Sequence, residues 1–142
     1  MTDTAPAVLF VCVHNSGKSV MAQGLMRHTA GDRVIATSAG TAATPGVNTQ
    51  SVDVLAEWGI DIATHTSTQL TEDMVAAADR IVVLGTEAHV DPFDGTPVEV
   101  WDTDEPSKRG IEGTDRMRLI RDDIAARITD LINRLAVHVP AR

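Results

Sequence analysis

The chain has 142 residues, enough for one compact domain with its own apolar core, and its single cysteine excludes an intramolecular disulfide framework. A net charge of −8 excludes broad binding to nucleic acid or anionic membranes, though not a small oxyanion held by a few amides and one cation. With aromatic residues at 3% and no tyrosine, the core has to be built from Val, Ile, Leu, Ala and Met.

From Met1 to Ala7 the chain is short and polar. The apolar run that follows, Val8 to Val13, is too short for a signal segment or a membrane span, so a cytoplasmic protein is expected. Val8 to Val11 is continuously apolar, as in a strand buried on both faces. Ser19 to Thr29 carries Met21 and Leu25 at helical spacing. Val34-Ile35-Ala36 reads as a second strand, and Asn48 to Trp58, with Val52 and Leu55, as a second helix. Thr71 to Ala78 is a short helix opened by a capping threonine and two first-turn acids, Glu72 and Asp73. Ile81 to Leu84 is a third buried strand, and Val98-Glu99-Val100 alternates like an edge strand. Met117, Ile120, Ile124, Ile128, Leu131 and Leu135 step by three and four along one face, which predicts a long amphipathic helix from Glu112 to Leu135. Arg116, Arg118, Arg121 and Arg127 alternate with acids and read as its solvated face. Strands alternating with helices imply one α/β domain over residues 1–142, a three-layer fold with a four-stranded, mainly parallel sheet flanked by helices. Ligands then bind beyond the carboxyl ends of the strands, which points to the loop after the first.

That loop is Cys12-Val13-His14-Asn15-Ser16-Gly17-Lys18-Ser19, and a helix follows at once. Backbone N–H groups of residues 13 to 19 are placed to turn inward and cradle an oxyanion at a helix N-terminus. Asn15 and Gly17 tolerate positive φ, Lys18 adds a full positive charge, and Ser19 offers a hydroxyl to a neighbouring sulfur. A lone cysteine closing a buried strand otherwise packs as a small apolar residue. Here the same field that gathers an oxyanion favours the thiolate, the nucleophilic form of cysteine. A nucleotide-binding P-loop is discounted, because Val13 stands where that pattern needs a glycine.

The segment Leu9 to Gln23 resembles the low-molecular-weight protein tyrosine phosphatases and, within them, the arsenate reductases built on the same fold. The resemblance continues through Ser38-Ala39-Gly40-Thr41, Gly59-Ile60-Asp61-Ile62, His65-Thr66-Ser67, the third strand and an acidic-Pro loop before the last helix. It implies that Cys12 is the nucleophile, Asn15 the stabiliser of the loop and Ser19 the partner of the thiolate. Lys18 stands in the family's arginine position, and the general acid would come from the acidic-Pro loop.

Three departures refine what the resemblance implies. Lysine offers a mobile point charge where arginine would clamp an oxyanion bidentately, which argues against phosphate-ester hydrolysis and resembles single-cysteine actinobacterial arsenate reductases. In Trp101-Asp102-Thr103-Asp104-Glu105-Pro106 the residue before proline is Glu105 where the family usually has aspartate, leaving Glu105 and Asp104 both as candidate acids. Leu84-Gly85-Thr86-Glu87-Ala88-His89-Val90 lacks the two further cysteines of thioredoxin-coupled relatives, so an external thiol must resolve Cys12.

The expected activity is therefore arsenate reduction of the arsenate-mycothiol transferase type. No bound cofactor is expected. Mycothiol would be the low-molecular-weight thiol, and a mycoredoxin or glutaredoxin-like protein would complete the reduction. The alternatives are a phosphatase acting through phosphocysteine, disfavoured by Lys18 and by the lack of tyrosines to flank a substrate ring, and a non-catalytic anion sensor or phosphocysteine carrier. His14 either shapes the mouth of the loop or is a plain loop residue. His28, His65, His89 and His138 show no metal-ligand spacing, and Trp58 and Trp101 read as packing residues, Trp101 near enough to the acidic loop to wall the site.

Overall fold

The computed structural model describes residues 5–91 and 95–135. Four parallel strands, β1 (Ala7–Cys12), β2 (Ile35–Gly40), β3 (Arg80–Leu84) and β4 (Val98–Trp101), lie in the order β2-β1-β3-β4. The helices are α1 (Lys18–Ala30), α2 (Thr49–Ala56), α3 (Glu72–Ala77) and α4 (Gly113–Arg134), with short 3-10 turns at Gly31–Arg33 and Pro106–Arg109. This is the three-layer α/β fold expected from the alternation.

The apolar run of β1 divides between two cores because successive side chains leave opposite faces of a strand. Val8 and Phe10 join α1, α2 and α4 in the larger core, while Leu9 and Val11 meet Val75, Ala78 and Val90 on the other face. The predicted stripe of α4 is buried from Met117 to Leu131, and its bounds fall within one residue of expectation. Thr71 Oγ1 accepts from Met74 N, and Asn48 Oδ1 from Ser51 N, so both short helices have side-chain N-caps. Strand β2 runs on from its apolar residues to Gly40, because Ser38-Ala39-Gly40 are small enough to lie beneath the loop after β1. Val100, 55% exposed, marks β4 as an edge strand.

Trp58, Arg116, Arg121 and Arg127 differ from expectation. Arg121 is only 6% exposed, and its guanidinium lies 4.0 Å above the ring of Trp58, a residue 41% exposed and so covered by a cation, not packed in a core. Arg121 Nη1 donates to Val54 O and to Glu57 Oε1 at 2.7 Å, which ties α4 to the end of α2. Arg118 donates to both oxygens of Glu57, and Arg116 and Arg127 reach the acidic loop. Arg118, which is exposed, stays on a solvated face, whereas Arg116, Arg121 and Arg127 are tethers to other elements. Trp101 is in the main core, tilted against Phe10, with its indole N–H on Glu99 Oε2.

Hydrogen bonds from Arg118 and then Arg121 hold the Glu57 carboxyl down at about 2, against an ordinary value of 4.5. A carboxylate whose folded value is depressed stabilises the fold above its unfolded value and loses that effect as pH falls. Glu57→Gln is expected to lower the Tm at pH 7 by roughly 3–6 °C, since it leaves the buried Arg121 with only the more exposed Asp122 as a carboxylate partner. The difference from wild type should close as pH falls from 4.5 towards 2, a trend that thermal melts across that range will reveal.

Candidate active site

The loop between β1 and α1 is oriented by its carbonyls. Cys12 O accepts from Thr41 N, Val13 O from Ala42 N, His14 O from Thr44 N and Ser16 O from Asn48 N, at 2.7–3.0 Å. Asn15 O accepts from Ser67 Oγ at 2.9 Å. In a trans peptide the N–H points opposite to the carbonyl. With these carbonyls drawn outwards, the amides of Val13, His14, Asn15, Ser16 and Gly17 face the other way, around Cys12. The amide of Asn15 does donate to Cys12 Sγ, at 3.2 Å. Lys18, Ser19 and Val20 add the first-turn amides of α1, which have no intrahelical partner. A ring of inward donors at a helix N-terminus is an oxyanion receptor.

Asn15 is fully buried in the left-handed region, φ 54°, where its backbone reverses the loop. Gly17 has φ −135°, so the positive φ expected there is not used. Asn15 Oδ1 accepts from Thr68 N at 2.9 Å, which fixes the amide's orientation, and it also accepts from His65 Nε2 at 2.9 Å. His65 therefore carries its proton on Nε2. Burial, with a smaller contribution from the Arg27 charge, pushes the His65 pKa down and keeps the ring neutral. The Asn15 side-chain N–H donates to Ser19 Oγ at 2.8 Å, so the Ser19 hydroxyl hydrogen is free to point at Cys12 Sγ, 2.9 Å away. The donors thus run in one direction, from His65 through Asn15 and Ser19 to the sulfur.

Beneath the loop lies Gly40. A Cβ built there would sit 2.7 Å from Val13 O and 2.9 Å from Asn15 N. No larger residue leaves the backbone of the cradle where it is.

Cys12 is partly buried, Ser19 fully buried, and His14 exposed with Nδ1 near Ala42 O and Thr44 Oγ1. Lys18 is half-buried and makes no ion pair with any carboxylate among the described residues. Its charge nonetheless reaches Glu105. Asp104 and Glu105 are each paired with an arginine, Arg109 and Arg116 respectively, at 2.7 Å. His65, Ser67, Thr68 and Gly40 carry the support of the loop. Their segments belong to the resemblance, yet nothing in the local sequence assigns them these contacts. His28 and His89 join no metal-ligand cluster among the described residues, and His138 lies outside those residues.

Comparison with known proteins gives the family and the fold. The family described as low molecular weight phosphotyrosine protein phosphatase matches residues 7–141. Arsenate reductase 1 of Staphylococcus epidermidis is 34% identical over 132 residues, covering 90% of this chain and 96% of its own. A structure of a Corynebacterium glutamicum thioredoxin-dependent arsenate reductase superimposes with TM-score 0.79 at 29% identity, covering 95% of this chain and 64% of that one. An arsenate reductase in its phosphate-binding state gives TM-score 0.80 at 25% identity, over 92% of this chain and 99% of that one.

Proposed function

The chain belongs to the low molecular weight phosphotyrosine protein phosphatase family, and from that membership we propose that it reduces arsenate through Cys12 with an external thiol. Support for the substrate comes from the relatives, which are arsenate reductases over nearly the whole of this chain. The observation that carries the rest is that the cradled Cys12 is the chain's one cysteine. No second thiol is available to expel arsenic and form a disulfide within the chain.

Arsenate enters the ring of amides, with Lys18 balancing its charge. The Cys12 thiolate attacks arsenic, an S–As bond forms, and one oxygen leaves as water. A low-molecular-weight thiol, which we take to be mycothiol, then attacks arsenic and Cys12 departs as the thiolate, again stabilised by Ser19. A thiolate of a mycoredoxin or glutaredoxin-like protein attacks the sulfur of the released adduct. An S–S bond forms, the S–As bond breaks, and its electron pair stays on arsenic, which is freed as arsenite. Cytoplasmic action suits this need for reduced thiols. Among the described residues no helix is long and apolar enough to cross a membrane.

The test is arsenite formation by wild type and by Cys12→Ser with three reductants: mycothiol plus mycoredoxin, glutathione plus glutaredoxin, and thioredoxin with its reductase. Hydrolysis of p-nitrophenyl phosphate is measured alongside. Arsenite is expected in the mycothiol arm, and the variant should lose it by on the order of 10³-fold or more. Arsenite with thioredoxin alone would replace mycothiol by a protein thiol. Phosphate release without arsenite in any arm would make the enzyme a phosphatase.

A further inference from the structure

The acidic loop is fastened to α4 at several points. Arg116 Nη2 donates to Glu105 Oε1 at 2.7 Å and to Oε2 at 3.3 Å, and Ser107 Oγ donates to the same Oε1. Arg109 holds Asp104 with two parallel bonds, 2.7 and 3.1 Å. Asp104 N donates to Asp123, which is itself paired with Arg127. Both candidate acids are thereby engaged as acceptors.

A general acid must hold a proton at the working pH. The Arg116 hydrogen bond, opposed by burial and reinforced by the Lys18 charge, keeps Glu105 below the usual carboxylate range, and Arg109 does the same for Asp104. Asp104 and Glu105 are about equally covered, but Arg109 is 52% exposed against 27% for Arg116, so solvent screens the Arg109 pair more. Arg116 is therefore the more consequential of the two.

Resting on the reading of the site as an arsenate reductase, we infer that Arg116, by pairing with Glu105, is a specificity-determining positioning residue. It withholds a leaving-group proton and so favours oxyanions that themselves carry both hydrogens of the departing water. Dihydrogen arsenate meets that condition. The Cys12 thiolate and the dihydrogen arsenate monoanion give a thioester of arsenate on Cys12, with three oxygens and a charge of −2, and one water. An S–As bond forms, an As–O bond breaks, and both hydrogens of the water come from arsenate, one already on the departing oxygen and one passed to it from the second arsenate hydroxyl. Arsenic stays pentavalent in this step. A phosphate monoester has no hydrogen on its bridging oxygen, so its alkoxide or phenoxide must be protonated by the protein or leave as an anion.

Leaving-group dependence tests this without arsenate or thiol. p-Nitrophenolate departs unaided, while phenolate, with a pKa near that of tyrosine (about 10), needs a proton. The readout is the ratio of kcat/KM for phenyl phosphate to that for p-nitrophenyl phosphate. Glu105→Gln alone should leave this ratio unmoved, and Arg116→Met should raise it about tenfold or more by freeing Glu105 to act as an acid. Adding Glu105→Gln to Arg116→Met should cancel the gain, and Arg116→Lys, which keeps the charge, should hold the wild-type ratio. A ratio that falls with Glu105→Gln alone overturns the inference, even if Arg116→Met does not fold. So does an unmoved ratio in a folded Arg116→Met protein, or no hydrolysis of either ester by it. Arsenite formation by the wild type, measured separately, decides the parent reading whichever way the ratio goes.

Discussion

Gly40→Ala is expected to lower kcat/KM for arsenate by roughly 10²-fold, the scale set by a misplacement of about 1 Å in a preorganised site. The new methyl would lie 2.7 Å from Val13 O, 2.9 Å from His14 C and 2.9 Å from Asn15 N, all backbone atoms of the cradle. Nothing flexible separates them, so the loop has to lift and its amides lose their common focus. Gly24→Ala is the control. Its methyl would meet Ile62 Cγ2 at 2.8 Å and Leu55 Cδ2 at 3.2 Å, side chains in the main core. Overpacking there should cost about 1–3 kcal/mol of stability. Activity per folded molecule should nevertheless stay near that of the wild type. Measuring kcat/KM and urea midpoints for both variants separates the effects. Equal activity losses at equal stability losses would show that Gly40 matters for folding alone.

The second large effect is expected at Asn15, where different substitutions remove different things. Asn15→Ala leaves Thr68 N, His65 Nε2 and Ser19 Oγ without their partner and puts a Cβ residue in the left-handed region without an amide to support it. Each buried orphan costs about 1–3 kcal/mol, so this variant should be both unstable and inactive. Asn15→Asp is the sharper probe. Its carboxylate still accepts from Thr68 and His65, and most of the stability should survive. It cannot donate to Ser19, however, and it draws the Ser19 hydroxyl hydrogen towards itself and away from Cys12. We expect arsenate turnover to fall by about 10²-fold, comparable to loss of one oxyanion-hole donor. The alkylation rate of Cys12 by iodoacetamide should change in the same variant, because the hydroxyl partner of the sulfur has been turned away. An Asn15→Asp enzyme with wild-type turnover would show that the direction of these hydrogen bonds does not matter.

The division between what could be read from the sequence and what could not follows the range of each interaction. Strands β1 and β3 announce themselves because burial on both faces leaves a continuous apolar run, and α4 because its stripe repeats for about five turns. The cradle loop is legible because Cys12, Asn15, Lys18 and Ser19 lie within one short segment and their contacts are local. What holds Asn15 is not, since Thr68 and His65 lie 53 and 50 residues away and meet it only once β2 has paired with β1. The roles of Arg116 and Arg121 are hidden in the sequence for a related reason. A salt-bridged solvent face and a row of tethers to other elements have the same alternation of charge, and only the position of Glu57 and Glu105 in space tells them apart. Gly17 invited an expectation of positive φ from its residue type, but the reversal is made by Asn15 alone.

The outward pinning of the loop carbonyls has a thermodynamic corollary. The partners at 41, 42, 44, 48, 67 and 68 come from segments distant in the chain, so an unfolded or half-folded molecule has no anion receptor whatever. Any oxyanion that occupies the cradle binds the native ensemble alone, and mass action then adds RT ln(1 + [L]/Kd) to the free energy of unfolding. Phosphate abundant in the cell would thus act as a chemical chaperone for this chain while competing with arsenate for the same ring of amides. Resistance to unfolding and sensitivity to competitive inhibition would rise and fall together, because both measure the occupancy of one loop.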